Sequence, residues 1–84
     1  MYKLKLYITG HTPRSQGLVS DLTDLLDKNC DGKYTLEVID VFDHPDVAYE
    51  DDILATPTLI KMLPLPIRRI VGSLKNAEKV MAAF

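Results

Sequence analysis

The stretch YKLKLYIT at residues 2–9, followed at once by Gly10-His11-Thr12-Pro13, constrains the fold most. Tyr2, Leu4, Leu6 and Ile8 alternate with Lys3 and Lys5, and a period of two places the apolar set on one face of a strand. Gly10 breaks that strand. Thr12-Pro13 then supplies a helix start, a hydroxyl N-cap before a proline at the first helical position, where the missing N–H is no loss. Leu18, Val19, Leu22, Leu25 and Leu26 recur at helical spacing, with Ser20, Asp21, Asp24 and Asp27 between them. The spacing predicts a helix over 13–29, ending before the turn pair Asp31-Gly32. The β-branched and aromatic YTLEVIDV at 34–41 predicts a second strand. Strand, helix and strand in that order should form a right-handed parallel βαβ unit.

The second half adds smaller pieces. Asp43-His44-Pro45 repeats the polar-then-proline opening, and Val47, Ala48 and Ile53 give a short second helix its apolar side. Ala55-Thr56-Pro57 should end it, because the residue before a proline is pushed out of the α region. TLIKM at 58–62 and IRRIV at 67–71 read as third and fourth strands, paired antiparallel across the stiff Leu63-Pro64-Leu65-Pro66 connection. Gly72-Ser73 should start a last helix, with Ser73 as its N-cap and Ala77, Val80, Met81 and Phe84 inward. The order is βαβαββα. A mixed four-stranded sheet with helices on both faces is the simplest way to bury every apolar stripe. That α/β layout is the thioredoxin-like fold, and 84 residues are enough for one such domain, spanning 1–84, and too few for two.

Composition removes most chemistries. The one cysteine, Cys30, excludes an internal disulfide framework and a multi-cysteine metal site. In a redox thioredoxin the turn after the first strand carries two cysteines; here Gly10 to Ser15 reads GHTPRS, so dithiol exchange is excluded. No serine–histidine–aspartate spacing and no glycine-rich phosphate loop is present, so no catalytic residue and no cofactor is expected. His11, His44, Asp40 and Asp43 sit at strand-to-helix turns without the spacing of a metal motif, and no metal is expected there. A net charge of −2 argues against bulk nucleic-acid binding. No apolar run approaches a membrane span and no signal-peptide pattern opens the chain, which points to a cytoplasmic protein.

Charge is uneven. Six acids and no Lys or Arg lie between Asp40 and Asp52, whereas Lys61, Arg68, Arg69, Lys75 and Lys79 face a single acid, Glu78, between 61 and 79. Such segments are either solvated faces or a polarised surface that steers a protein partner. Arg68 and Arg69 suit bidentate contacts to phosphate or carboxylate, although alternation lets only one of them face a given side. Pro57 stands where thioredoxin-like proteins place a cis proline before the third strand; an ordinary helix stop fits the spacing equally well. Pro64 and Pro66 add two more X–Pro bonds nearby.

The segments KLYITGHTPRS, VIDV, ILATPTL and PIRRIVG, in that order, closely resemble the KaiB family of circadian-clock proteins, across almost the whole chain. The sensory domain of the clock kinase SasA has a related ATPxL segment and is a weaker match. The resemblance implies a non-enzymatic regulator that binds the ATPase ring of KaiC in its thioredoxin-like form and modulates its phosphorylation cycle. A diverged KaiB-like or SasA-sensor-like binding module outside the core clock is the alternative. The family is also metamorphic: a tetrameric ground state interconverts with a fold-switched, thioredoxin-like monomer that differs from about the ATPTL segment onward. Pro57, Pro64, Pro66 and Ala83 are the fold-switch candidates this implies, and Lys61, Arg68 and Arg69 the partner-binding ones. Ala83 stands where the family has glycine in the last helix, a replacement that favours helix by roughly 1 kcal/mol and hence the thioredoxin-like monomer. KaiA and CikA are further partners in the family; Gly17 and Glu37 replace basic partner-holding positions, so the resemblance leaves engagement of KaiA or CikA open. Clock members continue into an acidic tail, whereas this sequence stops at Phe84, where the thioredoxin-like fold is expected to be complete.

Overall fold

The computed structural model describes residues 1–72, 74 and 77–82. Strand β1 (Tyr2–Ile8) runs into helix α1 (Pro13–Asn29), followed by β2 (Tyr34–Asp40), α2 (Pro45–Glu50), β3 (Thr58–Leu63), β4 (Arg68–Val71) and α3 (Ala77–Ala82). The strands form one mixed sheet in the order β2-β1-β3-β4. β1 pairs parallel with β2 and antiparallel with β3, and β3 pairs antiparallel with β4. The fold is thioredoxin-like, as the sequence predicts. It leaves β2 and β4 as the two edges and buries β1 and β3 between them.

Local chemistry places each joint. Thr12 is the N-cap of α1: its hydroxyl accepts from the Ser15 N–H at 3.1 Å, with Pro13 opening the helix. Gly10 turns the chain with φ +76°, a conformation that L side chains rarely adopt. At the other end Asp31 and Gly32 both take positive φ, as their turn pattern requires.

α2 ends earlier than the proline stop predicts. Asp52, at φ 54°, sits past the C-cap Asp51, and two bonds close the end: Asp52 N–H to the Tyr49 carbonyl at 3.1 Å, and Ile53 N–H to the Ala48 carbonyl at 2.9 Å. This double bond pattern satisfies the last carbonyls, so the helix stops at a left-handed aspartate several residues before Pro57. Ile53 still packs with Val47 and Ala48, but from beyond the helix. The last helix also differs: Leu74, which a cap at Ser73 would put in the first turn, lies outside any helix. Ser73, Ala83 and Phe84 lie outside the described residues.

Two clusters fill the two sides of the sheet. Leu4, Leu6 and Ile8 of β1 meet Leu22 and Leu26 of α1, Leu59, Ile70 and Val80 of α3, with Cys30 at the margin. Tyr7, Ile39 and Ile60 meet Ala48 of α2 on the opposite side, with Val41, Val47, Ile53 and Met62 around them. The alternation in β1 therefore decides which helix each residue serves. α1 and α3 cover one face and α2 the other, and Tyr7 sits among the apolar residues under α2.

Candidate functional site

Three arrangements could carry function: the cleft beside α1, the basic edge strand, and the turns that end β1 and β2. The cleft, of about 840 Å³, runs between the start of α1 and the β3 entry, lined by residues that include Thr12, Ser15, Thr56, Pro57 and Gly72. Thr56–Pro57 is a cis peptide, as are Leu63–Pro64 and Leu65–Pro66. The Pro57 carbonyl accepts from the Gly72 N–H at 3.1 Å, and the Thr9 and Thr56 hydroxyls hydrogen-bond each other. No thiol faces this cleft. Cys30 is buried at the far end of α1, and burial pushes its thiol pKa up, away from the thiolate that nucleophilic chemistry needs.

The three basic candidates are not equivalent. Lys61 is 3% exposed, its chain packed into β3, so it does not offer a free charge at the surface. Arg68 and Arg69 are both exposed on β4. In the register Lys61 pairs with Arg68 and Ile60 with Arg69, so the arginines point to opposite faces of the sheet. Arg68 lies on the α1/α3 side with Lys61. Arg69 lies on the α2 side, close enough to Asp51 and Tyr7 for its charge to add to the lowering of the Asp51 carboxyl and to offset part of the rise at Tyr7. What brings the two arginines together is the edge: β4 has one neighbour, so both flank an open rim. Leu65, Ile67 and Val71 are exposed along that rim.

The acidic segment is less of a free surface than its composition suggests. Asp51 accepts from the Tyr7 hydroxyl and forms an ion pair with Lys5 at 3.3 Å. The Tyr7 hydrogen bond, then Lys5, hold its carboxyl below the ordinary range against the opposing cost of burial. Tyr7 itself is pushed up, by burial first and then by Asp51. Asp40 closes β2, and its Oδ1 accepts from Phe42 N–H at 2.9 Å and Gly10 N–H at 3.1 Å. The Phe42 bond leads in holding the Asp40 carboxyl below its usual value. Its Oδ2 lies 3.3 Å from His11 Nε2, and Asp43 Oδ2 is also 3.3 Å from that nitrogen. Residues dismissed on spacing are thus brought together by two adjacent parallel strand ends, a juxtaposition that only the β1–β2 pairing reveals. His44, read with them, is not part of that group.

Among the described residues, no helix is long and apolar enough to cross a membrane. Comparison with known proteins agrees with this architecture and adds identity. The N-terminal domain of Synechococcus elongatus SasA superposes with a TM-score of 0.76 at 22% identity, covering 96% of this chain and 76% of that one. A chloroplastic thioredoxin z superposes at 0.75 and 21% identity, over 98% and 74%. Likeness at this level of identity concerns the fold alone. In sequence, the circadian clock oscillator protein KaiB of Thermostichus vulcanus is 54% identical over 80 residues, 95% of this chain and 74% of that protein. The KaiB of Synechococcus elongatus is 52% identical over 95% of this chain and 78% of its own length. The sequence model of the KaiB domain matches residues 5–83, and the chain belongs to the KaiB family.

Proposed function

We propose that this chain is a non-enzymatic circadian-clock regulator that works in the cytoplasm as a single, monomeric thioredoxin-like domain. In that form it docks on a KaiC-type ATPase ring and modulates the ring's phosphorylation cycle. One observation carries the reading: a chain about half identical to proteins named as clock oscillators has residues 57–72 in the thioredoxin-like arrangement. The same arrangement leaves β4 as an open edge bearing Arg68 and Arg69 beside exposed Leu65 and Ile67, a basic and apolar rim suited to a protein partner. Lys61, being buried, supports that strand from within; it does not contact the ring. Because only one form presents this edge, affinity scales with the population of that form.

The test is a binding titration of the full chain against a purified KaiC ring, with size-exclusion and NMR on the free chain. Saturable binding by a monomer with helix at 77–82 is expected. A stable tetramer with a different strand pairing would overturn the monomer reading, and no binding to any KaiC ring would show a binding module that has left the clock.

A further inference from the structure

We propose that His11, Asp40 and Asp43 form a site for one divalent transition-metal ion of the zinc class, at the junction of the β1–α1 and β2–α2 turns. The three donor atoms lie within 4.8 Å of one another. They come from separate segments: the turn after β1, the last residue of β2, and the loop before α2.

The geometry leaves room for an ion between the three side chains. His11 Nε2 stands 3.3 Å from Asp40 Oδ2 and 3.3 Å from Asp43 Oδ2. Both distances exceed the length of about 2.7–2.9 Å that a good charge-assisted N–H···O bond takes, and the His11–Asp43 contact is a long hydrogen bond at 3.3 Å. Ligands about 2.0–2.2 Å from a tetrahedral zinc ion stand roughly 3.3–3.6 Å apart, the spacing found on both sides of His11. The set as a whole spans up to 4.8 Å, so the exposed Asp43 side chain would close in on binding. One imidazole nitrogen with two carboxylate oxygens is a donor set that zinc and its neighbours accept, with a fourth position left open to water.

The site is also built. The Asp40 side chain is only 4% exposed. Its Oδ1 is held by the N–H groups of Gly10 and Phe42, which orients the carboxylate as an outer-shell pair does at a metal centre. Among the described residues, Oδ2 has no partner outside the cluster and is aimed at His11. A buried carboxylate oxygen left facing one histidine, with a second carboxylate beside it, is an arrangement a divalent cation would complete. His11 and Asp43 are 68% and 60% exposed, so the ion can enter from solvent. Once bound, it would tie the start of α1 to the loop preceding α2.

Zinc chloride titrated into the full chain, followed by calorimetry and by amide NMR, tests this. Saturation at one ion per chain is expected, with shifts concentrated at residues 9–12 and 39–44. His11→Asn and Asp43→Asn, both exposed positions, should each weaken binding at least about 10-fold. His44→Ala, which removes the other loop histidine, should leave it within about 2-fold. The proposal fails if the chain does not saturate with zinc at millimolar concentration, if His11→Asn binds as tightly as the natural chain, or if His44→Ala loses as much as His11→Asn. These outcomes are independent of KaiC binding.

Discussion

The phenol of Tyr7, in the central strand β1, donates a hydrogen bond to the carboxylate of Asp51, the C-cap of α2. Tyr7 is fully buried, and its hydroxyl would be costly to leave unpaired. Asp51 also holds Lys5 from the same strand face. One aspartate therefore anchors the end of α2 to the sheet. Tyr7→Phe should cost on the order of 1–2 kcal/mol, after allowance for the partial exposure of Asp51. Urea denaturation of Tyr7→Phe, Asp51→Asn and the double variant should give a double variant less destabilised than the sum. Additive losses would show the pair to be uncoupled.

The same pair makes stability fall at both ends of the pH range, through the hydrogen bond at the acid end and chiefly through burial of the Tyr7 phenol at the alkaline end. The Asp51 carboxyl is lowered in the folded chain, chiefly by Tyr7 and then Lys5. Its stabilisation is fully present above the unfolded value of about 3.9 and is lost as pH falls through the folded value. Tyr7 is raised, so its share is present below about 10 and is lost as pH climbs above that. Urea midpoints measured from pH 7 to 3 and from pH 9 to 11 should drop at each end; Asp51→Asn should flatten the acid limb and only reduce the alkaline one, because burial leads in raising Tyr7. A variant with unchanged limbs would assign the pH dependence to other groups.

The two arginines of β4 should separate when tested singly. Arg68→Glu and Arg69→Glu should each weaken binding to a KaiC ring several-fold, mostly through slower association, with an effect that shrinks as salt rises. Arg69→Glu should also lower stability, because a carboxylate there would face Asp51 and the hydroxyl of Tyr7, near which Arg69 sits. Arg68→Glu should leave the melting temperature nearly unchanged. Equal stability losses in the two variants would contradict their placement on opposite faces.

Thr12→Ala removes the hydroxyl that receives the Ser15 N–H and should cost about 1 kcal/mol. Thr12→Ser should retain most of the stability. The comparison by thermal unfolding isolates the capping bond from the loss of a methyl group, since serine keeps the oxygen alone.

The order of elements was legible in the sequence because each rests on local physics. The alternation in YKLKLYI, the Thr12-Pro13 start and the Asp31-Gly32 turn act within a few residues, and the structure places β1, α1 and the turn accordingly. The end of α2 was not legible. A left-handed aspartate with two backbone bonds stops it at Glu50, and aspartate carries no strong signal for that conformation. The candidate site was hidden for a related reason. His11 and Asp40 are far apart in sequence and meet because β1 and β2 are parallel neighbours whose ends coincide, with Ile8 opposite Asp40.

By itself, then, the sequence determined the elements, the family and the absence of a dithiol, all of which depend on residue type and short-range spacing. Tertiary structure decided which charges are free. It buried Lys61, sent Arg68 and Arg69 to opposite faces of an edge strand, tied Asp51 to Tyr7, and set His11 between two carboxylates. Those outcomes follow from strand register and from the cost of burying an unpaired polar group, which act only once distant segments are packed together.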